Sequence, residues 1–69
     1  MITTFQLNSL TDDEFCILWY VTQLPETSKL YDFCYLKKHW VAHQFNQFES
    51  KVKPEFKELF ENTKNKILK

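Results

Sequence analysis

His39 and His43 stand four residues apart, the spacing that puts two imidazoles on one face of a helix. With Cys34 nearby they offer the ligand types that zinc accepts in tetrahedral geometry. The pattern goes no further, because no glutamate lies between the histidines and no second ligand pair occurs elsewhere. On a helical wheel with Leu30 at zero, the two histidines fall at about 180° and 220°, away from Cys34. They are therefore expected to be solvated, with no metal. Cys34 with His39 or His43 would also make a thiolate pair, but a nucleophilic cysteine needs an accessible, electropositive setting. Cys34 falls instead on the apolar side of the wheel. The remaining cluster, Asp12-Asp13-Glu14, is accounted for by helix capping. No catalytic residue and no cofactor is expected, and the chain is not expected to be an enzyme.

The elements that would carry these residues are helical. Thr11-Asp12-Asp13-Glu14 is a capping box, with Thr11 as N-cap, Glu14 three residues on, and Leu10 and Phe15 at the staple positions. The first predicted helix starts here and stops near Gln23 or Leu24, ahead of Pro25. Its run from Phe15 to Val21 is apolar or aromatic at every position, the pattern of a helix surrounded on all sides. Either the preceding segment folds over it, or another copy or a partner covers it.

Thr27 or Ser28 can cap a second helix. Leu30, Cys34, Val41, Phe45, Phe48 and Val52 lie within about 60° of one direction, with Phe33 and Trp40 on the flank. That register predicts one long helix over about 28–51. Lys37 and Gln44 share the stripe and mark where it would break or meet a counter-group. Lys53-Pro54 opens a third helix, with Phe56, Leu59, Phe60, Thr63 and Ile67 on its apolar stripe. Residues 1–9 alternate loosely and predict an extended arm. The expected fold is all-α: a three-helix module over 10–69, one domain, behind an extended N-terminal arm at 1–9.

Composition removes several functions. The chain of 69 residues has 2 Trp, 3 Tyr and 7 Phe but neither glycine nor arginine. Without glycine there is no phosphate-cradling loop, and without arginine no bidentate grip on phosphate or carboxylate. The N-terminal residues lack the basic start and apolar run of a secretory signal, and no stretch is long enough to span a bilayer. A cytoplasmic protein with two free thiols is expected, without membrane partners. Lysines and acids balance at 9 each but are segregated. Residues 1–36 carry five acids against Lys29, a net charge of −4, and residues 37–69 carry eight lysines against four acids, +4. Such asymmetry complements helix dipoles and also favours antiparallel self-pairing.

Two binding functions survive. The run Leu10–Ser28 resembles the opening helix and turn of winged-helix regulators. That resemblance implies DNA binding if the second helix breaks near Lys37-Lys38. The segment Trp40–Glu49 would then read bases through His43, Gln44, Asn46 and Gln47, with Lys37, Lys38 and Lys51 on phosphate. The chain departs from the family in lacking arginine, a glycine in the turn and a segment that reads as a wing. Net zero charge is a weak electrostatic footprint for that role.

The favoured reading uses the aromatics. Trp19, Tyr20, Tyr31, Tyr35 and Trp40 exceed what one small core can take, and tyrosine and tryptophan are the residues that anchor protein interfaces. They are the expected contact set of a small regulatory or adaptor protein that docks on a larger protein, with self-pairing into a homodimer. Plentiful Lys, Asn, Phe and Ile without Arg or Gly suits an AT-rich genome. A phage or mobile-element inhibitor of a host enzyme or defence complex fits that composition.

Overall fold

Thr11 does cap a helix. Its hydroxyl accepts the Glu14 N–H at 3.2 Å, and the Glu14 carboxylate accepts the Thr11 N–H at 2.8 Å. Leu10 and Phe15 both pack against the core, as a staple requires. The computed structural model describes residues 2–25 and 27–68, without the side chains of Leu30 and Tyr31. Among these residues the elements are α1 (Thr4–Asn8), α2 (Asp12–Thr22), α3 (Leu30–Cys34), α4 (Lys38–Glu49) and α5 (Lys57–Leu68). A 3-10 turn, Pro54–Phe56, leads into α5. No strand occurs among the described residues. The three longer helices pack on one another, α2 against both α4 and α5 and α4 against α5. The two short helices close the remaining gaps.

The fold is all-α, and it differs from the expected three-helix module in two places. The N-terminal segment is not an extended arm. Thr3 caps α1 by accepting the Gln6 N–H at 3.1 Å, and the Gln6 side chain returns to the Thr3 N–H at 2.9 Å. This second capping box turns Leu7 inward, and Ile2 is buried just ahead of it. The Gln6 amide then donates to the carbonyls of Lys66 and Ile67 at 3.3 and 3.0 Å, capping the end of α5 from outside. Nothing protrudes as a result. The radius of gyration is 11.0 Å, the value of about 11 Å expected for a compact chain of this length.

The second difference is the break in the predicted long helix. α3 ends at Cys34 with Tyr35 as its C-cap, and Lys37, extended with ψ at 132°, becomes the N-cap of α4. A continuous helix would carry Lys37 on the same stripe as Cys34 and Val41. Breaking there exposes Lys37 and re-phases the chain, so that Phe33 enters the core in place of the half-buried Cys34. Val41 and Phe45 remain buried beyond the break. The break keeps the Lys37 ammonium in solvent, where a charged group avoids the cost of burial.

The core is Ile2, Leu7, Leu18, Val21, Phe33, Val41, Phe45, Phe60 and Ile67. Phe45 meets Phe60 edge-on at 5.2 Å between α4 and α5. On the other side of α2, Phe15, Trp19 and Phe33 form a ring triangle with centroids 5.1 to 5.3 Å apart. α2 ends at Gln23, whose φ of 57° is left-handed and whose N–H returns to the Trp19 carbonyl. With no glycine in the chain, a side-chain-bearing residue takes that position.

Candidate functional site

α2 has the apolar run that sequence could not place. Its neighbours bury Leu18 and Val21 completely, and the ring triangle closes over Phe15 and Trp19. Asp13, Cys16, Ile17 and Tyr20 fall on a remaining face, at the i, i+3, i+4, i+7 spacing of one helical stripe. Asp13, Cys16 and Tyr20 are exposed and Ile17 is half-buried. The loop after α4 runs alongside this face. Tyr20 meets Phe48 in a tilted ring contact at 4.9 Å, and Lys51 holds its ammonium 5.3 Å from the same Phe48 ring. Ile17, Tyr20, Val52 and Phe56 line a shallow apolar groove of about 270 Å³, with Lys51 and Lys53 on its rim.

This groove brings two of the exposed aromatics together. Tyr20 is 45 % and Phe56 46 % exposed there, while Tyr35 (77 %) and Trp40 (38 %) are exposed at the opposite end of α4 and Phe5 (83 %) on α1. Isolated exposed hydrophobics are ordinary, and a contiguous set is what marks a contact surface. The expected contact residues thus separate. Trp19 is half-buried against the core, its indole N–H donating to the Pro25 carbonyl at 3.1 Å. Tyr20 is the member that lines the groove. Tyr35 stands in the turn between α3 and α4 and Trp40 in the first turn of α4. The Tyr31 side chain lies outside the described residues.

Ile17, Val52, Lys53 and Phe56 were not among the expected contact residues. Val52 was on the long-helix stripe and Phe56 on the third-helix stripe, so both read as core. The one available signal was Pro54. Proline at the first position favours a tight opening turn, and the 3-10 geometry of Pro54–Phe56 leaves Phe56 half-exposed beside Tyr20 instead of aligned with Phe60.

A second depression, of about 520 Å³, lies between α1 and the end of α5, lined by Thr3, Phe5, Gln6, Ser9, Lys38, Asn65 and Lys66. Its wall is already engaged. The Lys66 ammonium donates to the Glu14 carboxylate at 2.7 Å and to the Ser9 carbonyl at 3.0 Å. Burial pushes the Glu14 carboxyl up. The Lys66 hydrogen bond and the bonds from Thr11 outweigh that and hold it below the ordinary glutamate value. Glu14 is thus an internal structural charge with its partners in place.

The candidate base-reading residues share α4. His39, His43, Asn46 and Gln47 are exposed, Gln44 is half-buried, and Lys37 and Lys51 are exposed near the two ends of the helix. Gln47 lies 2.9 Å from His43, nitrogen to nitrogen, and Lys64 donates to Asn46 at 3.4 Å. Lys38 is half-buried. No group of three or more His, Cys, Asp or Glu side chains gathers among the described residues, and both cysteines are free, Cys16 exposed and Cys34 half-buried. No helix among them is long and apolar enough to cross a membrane. No protein-family model matches the chain, and no curated protein or solved structure shows significant similarity to it.

Proposed function

We propose that this chain is a non-enzymatic regulatory module that acts by binding protein. One observation carries the reading: Ile17, Tyr20, Val52 and Phe56 form an apolar groove that the folded chain does not cover. A domain this short has little apolar area to spare, and leaving two large aromatics half-exposed side by side forgoes stability. Burial against a partner recovers it. Tyrosine and phenylalanine in a groove with a polar rim are the composition of an interface centre. Tyr35 and Trp40 supply a second, smaller aromatic surface at the far end of α4. The larger partner of this reading is a host enzyme or defence complex, in keeping with the composition of the chain.

The test is affinity capture of the tagged chain from its host, followed by titration against the purified partner so identified. Tyr20→Ala and Phe56→Ala are each expected to weaken binding by about 2 kcal/mol, roughly thirtyfold. If neither substitution moves the affinity, the groove is not the docking surface.

A second reading is favoured by the break at Tyr35–Lys37, the condition on which DNA recognition by α4 depends. It makes α3, the turn and α4 a short helix–turn–helix with His43, Asn46 and Gln47 outward and Gln44 half-buried. That reading expects binding to duplex DNA that falls steeply with salt, with a shallower slope after Lys37→Ala, Lys38→Ala or Lys51→Ala. Its weakness is chemical: Gln47 sits against His43, and Lys64 against Asn46.

A further inference from the structure

We infer that the groove beside α2 takes an acidic amphipathic helix of the partner protein, apolar on the face it buries and flanked by carboxylates that meet Lys51 and Lys53. The inference rests on reading that groove as a protein-binding surface and states the chemistry of what binds there. The lining decides the charge. Ile17, Tyr20, Val52 and Phe56 supply apolar wall, and the remaining lining residues are Lys51 and Lys53. Both lysines are exposed, and among the described residues neither is in an ion pair. The nearest acids along the chain are Glu49 and Glu55, two residues before Lys51 and two after Lys53, and Asp13, one turn before Ile17 on α2. None of them lines the groove. Lys51 is also placed: its ammonium stands 5.3 Å from the Phe48 ring, which meets Tyr20 at 4.9 Å. One ring thus sets a cation beside an apolar wall, and contact with a ring leaves that charge uncancelled. A carboxylate next to a partner's apolar anchor meets the ammonium while the anchor is buried.

Shape selects the helix. No strand occurs among the described residues, so they offer an extended peptide no sheet edge to join. The walls are α2 on one side and the segment from Lys51 to Phe56 on the other. A groove of that make receives one face of an amphipathic helix, anchored by apolar residues at i, i+3 or i+4, and i+7. At about 270 Å³ and shallow, it falls below the roughly 300–1,000 Å³ of sites that enclose a small molecule. Two rim lysines also fall short of the cluster of about 4–8 that marks a surface for anionic lipid.

The test is selection of a random library of displayed peptides of about 16 residues, some four turns of helix, against the intact chain. Enriched peptides are expected to carry apolar residues at helical spacing with Asp or Glu beside them. The tightest is then synthesised and titrated, with circular dichroism of each protein variant establishing that it is folded. Lys51→Glu with Lys53→Glu is expected to weaken it about tenfold. Changing the peptide's own acids to lysine is expected to restore binding to that variant. Tyr20→Ala is expected to weaken the original peptide about thirtyfold. Basic or uncharged peptides that lose affinity with Tyr20→Ala overturn the acidic class and leave the docking reading standing. Acidic peptides indifferent to both Tyr20→Ala and Phe56→Ala bind elsewhere, and the inference and the docking reading of the groove fall together. A selection that enriches nothing overturns the inference, and the docking reading is then judged by the captured partner's response to Phe56→Ala. Titration of phosphatidylserine vesicles and duplex DNA overturns it too, if either binds through Lys51 and Lys53 where no peptide does.

Discussion

Two faces of α2 carry the same kind of residue and meet different fates. Phe15 and Trp19 lie on one, and Cys16, Ile17 and Tyr20 on the other. The first is partly covered from within: Phe33 completes a ring triangle, the Pro25 carbonyl takes the one polar hydrogen of Trp19, and both residues are half-buried. The second is bordered by Phe48, Val52 and Phe56 and then left open. Hydrophobicity along α2 does not distinguish them. What does is reach, because the short connection after α2 and the broken helix behind it bring Phe33 to one side only. An all-apolar helix in a small domain is covered by its own chain where the chain can get to it, and elsewhere keeps apolar surface in contact with solvent.

The largest expected effect contrasts those faces. Phe33→Ala removes a fully buried ring and is expected to cost about 3–5 kcal/mol in urea unfolding. Tyr20→Ala removes a ring that is 45 % exposed and is expected to cost under about 1 kcal/mol in the monomer. Equal losses would mean that the groove is a packed surface of the monomer, and the functional reading would lose its footing.

The opposite end of α2 sharpens the contrast by showing a polar site that is complete. Glu14 is buried and Lys66 reaches it from α5 across the chain. Lys66→Met leaves the carboxylate without its charged partner, an expected loss of about 1–2 kcal/mol at neutral pH, reduced because the lysine is itself in contact with solvent. The sign with pH follows from the lowered carboxyl. Folded Glu14 holds its proton less tightly than the unfolded chain does. Its contribution is therefore present above the ordinary value of 4.5 and fades as pH falls through the folded value. In Lys66→Met burial is opposed only by the Thr11 bonds, so the carboxyl moves up from its wild-type value and protonation becomes more tolerable. The gap between wild type and variant in urea midpoints is expected to narrow below pH 4.5 and to be widest near neutrality. A gap independent of pH would mean that Lys66 acts through its stem and not its charge.

Local chemistry was legible in the sequence where it closes within a few residues. The Thr11–Glu14 box, the stop before Pro25 and the start at Pro54 all appear in the fold. The Thr3–Gln6 box was written in the same code and overlooked, because the alternation of Ile2, Phe5 and Leu7 suggested an extended segment. The break at Tyr35–Lys37 was legible only as a weak point: Lys37 on the apolar stripe marked it, but no proline or glycine did. It arises from the choice between burying Lys37 and burying Phe33, and that choice exists only once α2 and α5 are in place. The groove was hidden for the same reason. Its two walls, Tyr20 and Phe56, lie on segments whose relative placement no period reveals.

The smallest prediction concerns where α2 stops and the groove begins. Gln23 closes the helix with φ at 57°, a conformation that disfavours any residue bearing a Cβ. Its side chain compensates in part by donating to the Tyr20 carbonyl at 2.7 Å, the residue at the groove's centre. Gln23→Gly relieves the backbone strain, forfeits that hydrogen bond and loosens the unfolded chain, so a net gain of only about 0.5 kcal/mol is expected. The informative readout is the pairing of that gain with binding. If strain at Gln23 serves only to end the helix, Gln23→Gly stabilises the chain and leaves partner affinity unchanged. If the Gln23–Tyr20 contact holds the last turn of α2 in the shape the groove requires, the same substitution stabilises the monomer while weakening whatever the groove binds.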